Sequence, residues 1–117
     1  MTAVPMKQLV TARESFGHVW IECFATVGVT NAIRAGEWLE THSKQNRAAG
    51  PGTINLILVT NAWLSSAAMV CAVHVATESK TGVLRDHAVP CWTGQRGATG
   101  TGTDAVVVAC QMRGQGP

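Results

Sequence analysis

One segment constrains this chain more than any other: residues 65–87 contain no proline, and no glycine before Gly82. It is the clearest helix in the sequence, with Ser65 or Ser66 placed to cap it and Pro90 just beyond its end. Ala68, Ala72, Val75 and Ala76 recur at helical spacing and give an apolar face of small side chains that can lie close to a sheet. Cys71, His74, Glu78, Thr81 and Arg85 step by three or four along another face. With one such helix, the rest of the core must come from strands.

The strand pattern is clearest near the start. Residues 10–16 and 18–27 both read as strands separated by Gly17, which predicts an antiparallel hairpin. In the second, Val19, Ile21, Cys23 and Ala25 alternate with Trp20, Glu22, Phe24 and Thr26, the two-residue period of a strand. A short helical turn over residues 6–9 is expected after Pro5. Gly28 breaks the second strand, and Thr30 or Asn31 is placed to cap a short helical turn through Arg34. Residues 36–52 are polar and rich in breakers, which predicts a surface loop long enough to border a site or act as a lid. Residues 54–60 (INLILVT), bounded by Gly52 and Asn61, read as a central buried strand. Residues 94–104 form a glycine-threonine loop, residues 105–110 a last buried strand, and the remainder a frayed tail. The expected architecture is one α+β domain over residues 1–117, a mainly antiparallel sheet packed against one long helix in two layers.

Composition narrows the function classes. Of 117 residues, 46% are hydrophobic and only 14% charged, against the roughly 25% usual for globular domains. So little charge predicts extensive burial, including a subunit interface. The formal net charge is +2 with basic residues scattered singly, a pattern that argues against a nucleic-acid partner. No run approaches the roughly 20 apolar residues of a membrane span. The N-terminus has no continuous apolar stretch of the secretory kind, so the expected location is cytoplasmic. Cys23, Cys71, Cys91 and Cys110 are far apart, and the four histidines are dispersed. Reduced thiols are the simplest reading, and neither a metal site nor a cofactor is indicated.

Three groups of residues could carry chemistry. In GATGTGTD, glycines could let backbone N–H groups converge on an anion, but the loop precedes a strand, unlike nucleotide-binding loops that open a helix. Thr99, Thr101 and Thr103 beside Asp104 suit a substrate-contacting loop, or an ordinary turn. Glu78, Lys80 and Arg85 place a carboxylate near cations, an arrangement useful for activating water toward an amide and equally common on a solvated helix face. Asn31 and Asn55 each offer a donor and an acceptor, suited to recognising an amide or to capping a turn.

Taken in order, FATVGVTNAIRAGE, PGTINLILV, HVATESKTGVLRD and ATGTGTDAVVVAC resemble the core of the adenosylcobinamide amidohydrolase (CbiZ) family, over residues 13–110. The resemblance implies an amidohydrolase of corrinoid salvage and cobalamin biosynthesis. Its small-molecule corrinoid substrate is adenosylcobinamide, and its products are adenosylcobyric acid and aminopropanol. Matching the motifs makes Glu78, Asn31 and Lys80 the catalytic candidates, with Glu78 as base for water and Asn31 or backbone N–H groups on the oxyanion. Thr30, Arg34, Asn55, Arg85, Thr99, Thr101 and Asp104 become the substrate-binding candidates. Against the family pattern the chain reads as a shortened form without the usual N-terminal segment, and the sheet edge this would leave makes a homo-oligomer, a homodimer, the expected state. That departure keeps a second reading in view: a non-catalytic corrinoid or small-molecule binding module that retains the family core.

Overall fold

The computed structural model describes residues 4–37 and 52–113. A 3-10 turn at Met6–Gln8 leads into β1 (Val10–Phe16) and β2 (Val19–Val27). β3 (Ile54–Trp63), α1 (Ser66–Asp86) and β4 (Ala105–Gln111) follow. The sheet order is β1-β2-β3-β4; the first two pairings are antiparallel and β3 with β4 is parallel. The expected α+β architecture is present: a mostly antiparallel sheet with one helix in a second layer.

Local chemistry explains each element. Gly17 adopts φ +60° between paired Phe16 and Val19, giving a two-residue hairpin the positive φ it needs. Parallel pairing of β3 and β4 requires a long crossover, which α1 supplies. The Ser65 side chain accepts a hydrogen bond from the Ala68 N–H and starts the helix.

Two boundaries differ from expectation. The segment after Gly28 forms no helical turn: Val29 O and Ala32 N–H close a simple turn, and Ile33 pairs with Gly100 as an isolated bridge. So short a helix cannot offset its nucleation cost, whereas Ile33 gains three long-range backbone bonds, to Gly100 O and from the Thr99 and Gly100 N–H groups. β3 also runs past Asn61 to Trp63. Asn61 stays in the strand because its side chain holds the end of the hairpin, accepting from Trp20 N–H and donating to His18 O. The expected loop at residues 36–52 falls mostly outside the described residues.

The fully buried positions gather at the loop-bearing end of the sheet: Val4, Ala32, Ile54, Leu84, Cys91 and Ala98. Elsewhere burial is incomplete. α1 packs chiefly against β4 and leaves an apolar cavity of about 470 Å³ between itself and β2–β3, lined by Cys23, Leu56, Leu58, Ala72, Ala76 and Val83. Phe16 is 91% exposed and Val75 60%. Much apolar surface of the described residues therefore stays uncovered. No helix among the described residues is long and apolar enough to cross a membrane.

Ser65→Ala removes the N-cap and should lower stability by about 1 kcal/mol. The shift in urea midpoint at unchanged slope measures it.

Candidate active-site cleft

At the loop-bearing end, one carboxylate draws three parts of the chain together. Asp104 immediately precedes β4. Its Oδ1 accepts from the Ile54 N–H at 3.0 Å and the Thr101 hydroxyl at 2.5 Å. Its Oδ2 accepts from Lys80 Nζ at 2.6 Å and the Thr101 N–H at 3.0 Å. A carboxylate offers about four acceptor positions, so all are used. Both side chains of the Lys80–Asp104 pair are largely buried, at 12% and 13% exposure. Burial by itself would raise the Asp104 pKa, but the ammonium, the Thr101 hydroxyl and the two N–H groups outweigh it and hold the group below its usual value.

The glycines here make room for that pair. A Cβ on Gly100 would lie 2.3 Å from Asp104 Oδ2 and 2.8 Å from Lys80 Nζ, so only glycine lets the ion pair rest against the backbone. Gly52 plays the same part for Asn31: a Cβ there would fall 1.8 Å from Asn31 Oδ1. Thr103 ties the loop to the start of β3, its hydroxyl 2.6 Å from that of Thr53 and 3.3 Å from Gly52 O.

Beside this lock lies a cleft of about 440 Å³. Its walls are Thr77, Lys80 and Thr81 of α1 and Thr99 and Thr101 of the loop, with Ile33 and Ala35 at the edge. The Thr81 hydroxyl donates to Thr99 O, and the Thr99 hydroxyl accepts from the Ala35 N–H at 2.8 Å. Thr99 therefore keeps its own proton to donate. Such a surface of neutral hydroxyls and one neutralised cation suits an amide-bearing ligand.

The expected site residues divide. Lys80, Thr99, Thr101 and Asp104 meet in the cleft. Asn31 stands next to it against Gly52, its Oδ1 buried and without a hydrogen-bond partner. Arg34 and Arg85 border an adjoining cavity, and Thr30 is on the exposed turn before Asn31. Two candidates lie elsewhere. Glu78 is 68% exposed and 3.4 Å from His74 Nε2; it does not line the cleft, standing about 160° round the helix from Lys80 and about 60° from Thr81. Asn55 pairs with Thr26 and Ala105 in mid-sheet and faces a groove with Phe24 and Ile57, on the side away from α1. Sequence reasoning passed over Gly100, Gly52 and Thr81, because nothing in their identity signals what packs against them. Among the described residues no group of three or more His, Cys, Asp or Glu could hold a metal ion.

Comparison with known proteins places this geometry in a family. The sequence profile for adenosylcobinamide amidohydrolase matches residues 1–117. The chain belongs to the adenosylcobinamide amidohydrolase family. It is 34% identical over 121 residues to an uncharacterized protein of Methanocaldococcus jannaschii, an alignment covering 92% of this chain and 48% of that one. It is 41% identical over 69 residues to a Halobacterium salinarum protein named adenosylcobinamide amidohydrolase, covering 59% of this chain and 26% of the relative. The chain thus spans about half the length of the first relative and a quarter of the second. No solved structure matches it.

Two outcomes follow from the lock. Asp104 has a depressed folded pKa, so its contribution is present above the unfolded value of about 3.9 and is lost as pH falls through the lower folded value. Asp104→Asn should lower stability at pH 7 by on the order of 3 kcal/mol, since it strands Lys80 in a largely buried position. It should also flatten the acid limb of the stability curve below about pH 4, read by urea denaturation at each pH. Gly100→Ala should destabilise to a similar degree at pH 7, seen as a lower thermal midpoint.

Proposed function

We propose that this chain hydrolyses adenosylcobinamide at the amide joining the aminopropanol arm to the corrin ring. Water would add to the amide carbonyl carbon and the C–N bond would break. The proton passes to the departing amine, leaving adenosylcobyric acid and aminopropanol. The observation that carries this reading is the hydroxyl-lined cleft against the buried Lys80–Asp104 pair, in a chain of this family. Corrin rings carry amide side chains, and Thr99 and Thr101 present the neutral polar groups that can receive them. In this reading Lys80 and Asp104 position the loop, Asn31 sits beside the oxyanion, and Thr30, Arg34 and Arg85 border the substrate. Glu78 and Asn55 take no direct part in this reading, because neither lines the cleft. The reading includes a cytoplasmic location, where the four free thiols would stay reduced.

One observation favours the second reading, a corrinoid-binding module without turnover: every acceptor position of the carboxylate in the cleft is occupied. Incubation with adenosylcobinamide and chromatography for adenosylcobyric acid separates the two. Product formation supports hydrolysis; a visible spectral shift without product supports the binder; neither result overturns both. With activity present, Glu78→Gln should stay within about twofold of the parent, as an exposed substitution would. A larger loss would return Glu78 to the role of base.

We also propose that a second copy of the chain covers the apolar surface left open beneath α1. The argument is the exposure of Ile21, Val27, Val75 and Val83 around one groove in a chain with so few charges. Light scattering after size exclusion should give twice the 12.3 kDa chain mass, and a mass of one chain would end the idea.

A further inference from the structure

Next to the hydroxyl-lined cleft, three of the chain's six arginines border one cavity of about 500 Å³. Arg34 comes from the segment bridged to Gly100, Arg85 from the last turn of α1, and Arg96 from the loop before β4. Two of them converge over Gly97. The Nη1 atoms of Arg34 and Arg85 each lie 3.7 Å from the place a Cβ on that residue would take. Gly97 has φ +83°, which favours glycine and leaves the space between the guanidinium groups open.

Among the described residues these cations form no close ion pair, although the Glu37 charge is near enough to interact with Arg34. The pairs present among those residues are Arg13–Glu22, His74–Glu78 and Lys80–Asp104. Glu37 is beside Arg34, but its carboxylate is already engaged, accepting from the Arg34 backbone N–H and the Thr93 hydroxyl. The other two described arginines have partners: Arg13 stacks over Trp20 and Arg113 over Trp63. Guanidinium stays charged at any working pH, and its planar fork matches phosphate oxygens. Forks from three segments can approach from several directions, a geometry that suits the several oxygens and higher charge of a tetrahedral phosphate. The remaining wall is apolar, built from Ala88, Val89 and Pro90, and the cavity is larger than a phosphate needs.

We propose that this cavity binds a phosphate group carried on a small organic molecule. Arg34, Arg85 and Arg96 hold the phosphate, and the organic body lies on Val89 and Pro90. The site stands on the guanidinium geometry and does not require that the chain hydrolyse an amide.

Isothermal titration of the full chain with phenyl phosphate, with inorganic phosphate for comparison, tests it. Saturable one-to-one binding is expected, tighter for phenyl phosphate than for inorganic phosphate. Arg85→Gln and Arg96→Gln should each weaken it by about tenfold or more, as loss of a charged hydrogen bond would, with the circular dichroism spectrum unchanged. The Arg96 variant keeps the test open if loss of Arg85 disturbs α1. Arg113→Gln should change affinity by less than about twofold, being outside the cavity. Absence of saturable binding at millimolar ligand overturns the site. So does an Arg113→Gln effect as large as that of Arg85→Gln, which would mean diffuse charge attraction. Equal affinity for the two phosphates overturns the seat for an organic body.

Discussion

Four donors from three stretches of chain end on the Asp104 carboxylate, and the loop-bearing end of the molecule is organised by that convergence. The Ile54 N–H fixes it to the start of β3, Thr101 fixes the loop, and Lys80 fixes the helix. Taking a carboxylate and an ammonium out of water is costly. Here the cost is met by saturating one partner, so that the pair fixes a relative position as much as it adds stability. Breaking it from either side would leave a charge with no partner near a packed backbone. The glycine at position 100 belongs to the same unit, because the pair occupies the volume that any side chain there would need.

That saturation also decides what Asp104 can do chemically. A carboxylate with its acceptor positions filled by fixed donors is a poor base for water, and the same donors keep its pKa low. Its contribution is to hold the Thr99–Thr101 hydroxyls opposite Thr77 and Thr81, making the cleft a preformed polar slot. Preorganised groups of this kind bind without a further ordering cost. Two of the three residues that the family motifs made catalytic candidates, Glu78 and Lys80, are thereby separated in role. Lys80 is drawn inward to Asp104, while Glu78 is turned outward to His74.

Much of the fold was legible because the signals were local. The alternation through Val19 to Thr26, the positive-φ glycine of the hairpin and the Ser65 cap each report on a few neighbouring residues, and each appears in the structure. The failures were of another kind. A turn capped at Thr30 or Asn31 is plausible locally, but Ile33 found backbone partners more than sixty residues away. Asn61 looked like a strand end by residue type, yet its amide completes hydrogen bonds to Trp20 and His18 across the sheet. At the site, the glycine-threonine loop was visible as a loop. That Asp104 would reach Lys80, and that Glu78 would miss the cleft, depends on helix rotation relative to the sheet. The Ala72–Val75–Ala76 face does turn toward the sheet, but it fixes the rotation only coarsely, because α1 carries apolar residues around much of its circumference, with Val70, Val73, Val75 and Val83 all well exposed.

Those exposed valines bear on the site as well as on the surface. Lys80 lines both the polar cleft and the apolar cavity beneath α1, so its ammonium lies on the partition between the two. In one copy that cavity is open, and water reaching it lowers the strength of the Lys80–Asp104 attraction. A second copy seated over Val27, Val75 and Val83 would exclude that water and stiffen the helix against β3. The lock would then be strongest in the assembled state, and the position of the threonine loop would depend on assembly. Low charge, an unfinished apolar face and a buried ion pair at its border are thus parts of one arrangement. Its ion-pair lock is at the polar end, and its uncovered apolar surface lies along the helix.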